Sequence, residues 1–142
     1  MTKTSARAII LKDTKILLMY RERNGEKYYV IPGGKVEPNE KPEETVVREV
    51  FEETSVVIKP MEYLGCFSYT DKERKHHLFL GEYVSGEPKL GDYIEMEKMR
   101  NDPTELYRPE WIELKNVESF VIRPDATTDF LKDYVKQELG RV

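Results

Sequence analysis

Residues 33–56 read GGKVEPNEKPEETVVREVFEETSV, and the rest of the chain is arranged around this stretch. It opens on two glycines, passes through a polar segment, and takes a helical period from residue 42 to residue 54. Pro42 suits a first helical turn, where its missing N–H costs nothing, and Glu43 and Glu44 complement the positive end of the helix dipole. Asn39 reads as a cap or turn residue just ahead of the helix. Projected at about 100° per residue, Val47, Val50, Phe51 and Thr54 fall on one side, which is expected to pack on a sheet. Glu49, Glu52 and Glu53 stand at i, i+3 and i+4 and are expected to gather on the opposite side. Neighbours at that spacing lie roughly 5–6 Å apart, and like charges there destabilise an isolated helix by a few tenths of a kcal/mol per pair. Three such carboxylates beside a glycine turn that exposes backbone carbonyls suit a hard cation, because Mg2+ takes oxygen ligands from carboxylates, waters and substrate phosphates. The competing reading is a solvated acidic face. The glycine turn, Arg48 beside the cluster and Glu40 nine residues before Glu49 weigh against it.

Working outward, residues 6–11 and 16–20 are short apolar runs separated by Lys12-Asp13-Thr14 and read as a β-hairpin. Residues 28–31 form a third β-rich run that Pro32-Gly33-Gly34 ends. Beyond the helix, residues 56–58, 63–69 and 77–84 read as strands, and Gly86-Glu87-Pro88 breaks the pattern. Residues 89–108 hold few apolar side chains and read as a long, partly ordered loop. Residues 111–114 form a short strand, and residues 125–139 close the chain as an amphipathic helix capped by Gly140. Strands around one internal helix and before one terminal helix imply an α/β (α+β) arrangement, a mixed sheet with helices on its faces.

Composition bounds the rest. The 142 residues are 39% hydrophobic and 35% charged, with 27 acidic against 23 basic side chains and a net charge of −4. This excludes membrane, disordered and fibrous classes and predicts one domain over 1–142. Such a surface has no general pull on nucleic acid or anionic lipid, so neither nucleic acid nor membrane is expected as a partner. The one cysteine, Cys66, cannot form an intrachain disulfide; it reads as an inert buried thiol in a reducing, cytoplasmic setting. A homodimer through a sheet edge or the 89–108 segment is an assembly the sequence allows.

Gly34, Glu40 and Arg48-Glu49-Val50-Phe51-Glu52-Glu53-Thr54-Ser55-Val56 resemble the Nudix box, G-x5-E-x7-R-E-U-x-E-E-x-G-U, where U is a bulky aliphatic residue. Residues 29–37 are similar to the family's W-x-U-P-G-G-x-U-E entry, and residues 107–111 resemble a common stretch near its last strand. Ser55 replaces the closing Gly of the box, Asn39 a frequent Gly, and Tyr29 a frequent Trp. None of these departures removes a carboxylate.

The resemblance implies a Nudix-type α/β/α sandwich with a mixed β-sheet, one internal catalytic helix and a C-terminal helix. It implies metal-dependent hydrolysis of a pyrophosphate bond in a small nucleoside diphosphate derivative, with Mg2+ or Mn2+ held by Glu49, Glu52, Glu53 and the Gly34 carbonyl. Arg48 and Glu40 are expected to pair and hold the Glu49 carboxylate in place. The general base is Glu49 or a late glutamate, Glu95 or Glu97. A nucleotide-sensing module and an isomerase on the same fold are the alternatives; a sensor has no need for three mutually repelling glutamates. Arg21, Arg23, Tyr28 and Arg74 are candidate phosphate or base readers wherever the early hairpin and the 70s segment border the site. His76 and His77 face opposite sides of a strand, so only one of them can face a cleft. Trp111 reads as core rather than as a stacking platform.

Overall fold

In the computed structural model, which describes residues 3–68 and 74–141, the early hairpin comprises β1 (Thr4–Lys12) and β2 (Lys15–Arg23). It turns at Asp13, whose φ is 56°. β3 (Glu26–Val30) pairs with β2 across Asn24 and Gly25, both at positive φ, the sequence signature of a two-residue hairpin turn. Gly33–Lys35 does not merely end β3. It forms a short strand, β4, against the first half of β1, with Arg7 opposite Gly33 and Ser5 opposite Lys35. Helix α1 (Pro42–Thr54) follows, then the long antiparallel pair β5 (Val57–Phe67) and β6 (Lys75–Ser85). The strand expected over 63–69 thus merges with 56–58 into a single bulged strand, and its last expected residue lies outside the described residues.

The chain continues through α2 (Ile94–Asn101), β7 (Leu106–Glu113), a 3-10 turn (Leu114–Ser119), β8 (Ile122–Arg123) and α3 (Asp125–Leu139). The segment 89–108, expected as a loop, therefore holds a helix and the start of a strand. The strand expected over 111–114 is the end of the longer β7, which pairs with β2 over its whole length. Gly140 does occupy the C-cap of α3, with right-handed backbone, so its glycine freedom is not used there.

The sheet is mixed. Its strand order is β5-β6-β1-β2-β3-β8, with β4 against β1 and β7 against β2. β1–β6 and β3–β8 are parallel and the other pairs antiparallel. Helix α1 covers one face over Ala6, Ala8, Ile10, Leu17 and Phe79, and α3 covers the other over Ile9, Leu18, Ile31 and Ile122. Burial on both faces explains why residues 8–10 are apolar without alternation, and the two alanines give α1 close approach to β1. Trp111 packs against the α1-side core beside Tyr83, as expected. Cys66 is exposed, contrary to the buried thiol expected, because β5 is an edge strand whose outer positions face solvent. Among the described residues, no helix is long and apolar enough to cross a membrane.

Candidate active site

β4, the loop after it and α1 build one wall of a cleft of about 990 Å³, and α2 with the two residues before it builds the other. α1 begins at Pro42 with Lys41 as its N-cap, and the Glu44 side chain accepts from the Lys41 backbone N–H. Asn39 lies two residues earlier as a turn residue at φ 65°. The helix leaves through Ser55, left-handed at φ 64°, whose N–H closes the last turn on the Phe51 carbonyl.

The burial of α1 differs from its sequence projection. The face on the sheet is Val46, Val50, Glu53 and Thr54, while Phe51 is 46% exposed and Val47 only partly buried. The helix is rotated toward its own carboxylates, so the three glutamates do not share an exposed face. Glu53 lies beneath the helix at 7% exposure and accepts the Gly33 N–H at 3.0 Å. That N–H is a buried donor that must find an acceptor. A Cβ at Gly33, whose φ is 150°, would collide with the Ala6 carbonyl and the Arg7 side chain. Glycine is thus required where the turn crosses β1 and presents its amide to Glu53.

Arg48 organises the other carboxylates. Its Nε donates to Glu40 at 2.7 Å, one terminal nitrogen donates to Glu49 at 2.9 Å and Glu52 at 3.2 Å, and the other reaches Glu40 and the Lys35 carbonyl. Glu40 also accepts from the Thr45 hydroxyl and the Glu37 N–H. This full set of donors, led by Arg48, holds its carboxyl down at about 2, and the Arg48 guanidinium is raised above its already high value in return. Burial pushes Glu49 above the usual carboxylate range, with Arg48 opposing and Glu52 and Glu95 adding repulsion. Burial pushes Glu53 well above it; Glu95 and Glu49 add to the shift, while Arg7 and the Gly33 N–H work against it.

Among the described residues, no three His, Cys, Asp or Glu side chains converge into a ready cage for an ion, since the carboxylates are drawn toward Arg48 and Gly33. The donor set nevertheless suits a hard cation. It is all oxygen, and Gly34 leaves the space that Glu49 fills, since a Cβ there would strike the Glu49 carboxylate. From the facing wall, Glu95 and Glu97 line the same cleft.

The substrate-side candidates divide. Arg21 and Arg23 line a neighbouring cavity of about 390 Å³ behind α2 and share Glu105 as partner. Arg21 also lies over the Tyr107 ring and donates to its hydroxyl. Tyr28 is buried beneath Arg21 and Arg123. Arg74 donates to the Thr4 carbonyl and the Ser5 hydroxyl and lines neither cavity. His76 and His77 do face opposite ways: His77 meets the Tyr63 hydroxyl at an exposed position, whereas His76 is buried.

A residue that sequence reasoning passed over is Arg7, which donates to His76 Nδ1 at 3.3 Å and to the Ile31 carbonyl at 2.8 Å. It supports the turn behind Glu53. Burial, with Arg7 and Arg74 adding to it, drives the His76 pKa down to about 4. The available signal was a lone arginine inside the otherwise apolar run 6–11.

Comparison with known proteins gives the class. The NUDIX domain family model matches residues 1–131, and the chain belongs to the Nudix family. An ADP-ribose pyrophosphatase from Methanocaldococcus jannaschii is 43% identical over 89 residues, 59% of this chain and 53% of that protein. A NAD-capped RNA hydrolase NudC from Photorhabdus laumondii is 32% identical over 102 residues, 72% of this chain and 35% of that protein. The chain therefore spans about half the length of the first and about a third of the second. A MutT structure from work on Aliivibrio salmonicida and Vibrio cholerae shares the fold, with TM-score 0.74 at 19% identity over 96% of this chain and 99% of that one. A MutT Nudix hydrolase from Burkholderia pseudomallei has TM-score 0.62 at 25% identity over 81% of this chain and 85% of that one.

Proposed function

We propose that this chain hydrolyses the pyrophosphate bond of a nucleoside diphosphate derivative, using Mg2+ or Mn2+ held by Glu49, Glu52, Glu53 and the Gly34 carbonyl. The observation that carries the reading is the wall itself. Glu49 and Glu52, which would repel one another, are fixed by Arg48 in a cleft large enough for a nucleotide, Glu49 against a bare Gly34, while Glu53 is held behind them by the Gly33 amide. A divalent ion bound there supplies charge neutralisation for the diphosphate and lowers the pKa of water.

Each residue has a task. Arg48, locked by Glu40, aims Glu49 and Glu52 into the cleft and keeps them from swinging into solvent. The Gly33 N–H orients one oxygen of Glu53 and leaves the other for the ion. Glu95 takes the proton of the attacking water. It faces the carboxylate wall closely enough to raise both Glu49 and Glu53, whereas Glu97 is shared with the neighbouring cavity. Glu49 is already engaged by Arg48 and so is the weaker candidate for base. Arg21 and Arg23 serve the nucleoside end through the adjoining cavity.

The substrates to try first are ADP-ribose and NAD-capped RNA, the substrates named for the two relatives, alongside nucleoside triphosphates. Phosphate-ended products are measured with Mg2+, with Mn2+ and with a chelator. The reading expects metal-dependent turnover of at least one of these. Tight nucleotide binding without turnover would establish the sensing module instead.

A further inference from the structure

The chain between β6 and α2 is a strap fastened to the end of α1. Lys89 N–H donates to the Thr54 carbonyl at 2.9 Å, satisfying one of the acceptors that a helix C-terminus leaves open. The Ser55 hydroxyl donates to the Lys89 carbonyl at 2.6 Å. Lys89 is thus gripped on both its amide and its carbonyl. Two residues on, Gly91 lies so close that a Cβ would strike the Glu52 carbonyl. Immediately beyond comes α2, none of whose eight residues is buried. The chain beyond its far end is tied through Glu105 to Arg21 and Arg23. The helix carrying Glu95 is therefore placed by its two ends and by a light contact with β7, through a face on which Met96 and Met99 are only half-buried.

We infer that Ser55 is a positioning residue: its hydroxyl moors the 86–93 strap to the end of the carboxylate-bearing helix and so holds α2, with Glu95, over the cleft. The inference rests on the proposed role of that cleft. A single backbone bond from Lys89 to Thr54 permits pivoting about one point, whereas a second bond from the adjoining residue fixes the strap's direction. Serine at φ 64° carries a backbone cost that glycine, the box residue here, would not. What serine adds is the donor.

The test compares Ser55→Gly and Ser55→Asn with the wild type by thermal melting, hydrogen exchange of residues 89–101, and steady-state turnover. Glycine relaxes the backbone but removes the donor; asparagine tolerates the left-handed conformation and keeps one. The Gly variant is expected to melt at the same temperature or higher. Its 89–101 amides should exchange roughly three- to ten-fold faster, as expected for loss of one hydrogen bond, with α1 unchanged. Its kcat should fall by a similar factor with little change in KM. The Asn variant should retain wild-type exchange and kcat. Unchanged exchange in Ser55→Gly overturns the mooring, as does equal loss in the Gly and Asn variants. Faster exchange with unchanged kcat overturns the positioning role. A wild type inactive on every pyrophosphate substrate would instead defeat the proposed function, while the exchange result still decides the mooring.

Discussion

The two helices that face each other across the cleft are opposites. α1 buries five of its thirteen residues, is entered through a cap and left through a left-handed residue, and carries carboxylates fixed by arginine and backbone donors. α2 buries none of its eight and is held at its ends. The difference divides the proposed labour: a rigid wall that keeps repelling carboxylates in place, and a lightly held wall that brings one more carboxylate to the substrate. Rigid ligand placement needs packing, whereas a group that must admit and release substrate is drawn from weakly packed elements.

The sharpest way to break this comparison is at Glu53. Glu53→Gln is expected to reduce turnover about 10³-fold while leaving thermal stability unchanged or higher. The Gln carbonyl can still accept the Gly33 N–H, and the burial cost of ionising the carboxyl, which Arg7 only partly offsets, is removed. Calorimetric titration with Mn2+ should show weakened binding. A folded Gln variant with near wild-type turnover at limiting metal would remove Glu53 from the site.

The facing wall is tested next. Glu95→Gln is expected to lower kcat by about 10²-fold, within the range for a general base, and to flatten the acidic limb of the pH–rate profile. Glu97→Gln should keep that limb and lose less than about five-fold. The reverse pattern would transfer the base to Glu97, and two unaffected profiles would return it to Glu49.

How legible each wall is in the sequence follows from the same contrast. The limits of α1 can be read from Pro42 and Ser55, because caps and turn residues act locally. Its existence can be read because packing imposes a period. Its rotation cannot: Val47 and Phe51 look as apolar as Val46 and Val50, and only the folded chain brings Glu53 underneath to meet the buried Gly33 amide. α2 escapes a reading based on apolar periodicity because none of its residues is fully buried and only Met96 and Met99 among its apolar side chains are half-covered, too few to mark a period. The pairing of Gly33–Lys35 with β1 is a tertiary event with no local signal, and so is the contact of Arg7 with His76. The box spacing makes the site's carboxylates legible, but not which of them is buried.

Stability measurements sharpen the contrast at smaller scale. Val50 is fully buried between α1 and the sheet, so Val50→Ala should cost about 2–3 kcal/mol in urea unfolding. Ile94→Ala in α2, where the side chain is 65% exposed, should cost less than ~0.5 kcal/mol. Behind the rigid wall, His76 is neutral because burial and Arg7 lower its pKa to about 4. The unfolded chain, with an ordinary histidine near 6.5, binds a proton first as pH falls. Stability is therefore intact above that value and lost between 6.5 and 4. His76→Gln should remove on the order of 1–2 kcal/mol of this loss when unfolding at pH 7 and pH 4.5 is compared. Identical pH slopes for the two proteins would exclude His76 as the source.

The smallest effect is expected one residue from one of the largest. Phe51 adjoins Val50 in α1, yet its ring is 46% exposed, on the flank that the rotation of the helix turns away from the sheet. Phe51→Ala should therefore change stability by no more than about 0.5 kcal/mol, against several for a buried phenylalanine. Alanine's higher helix propensity returns part of whatever ring contact is lost. A loss above 2 kcal/mol would mean that α1 packs as the apolar stripe of its sequence suggests. The helix would then sit rotated away from the Gly33 amide, with Glu53 drawn out from beneath it, and the rigid wall would lose the contact that distinguishes it from α2.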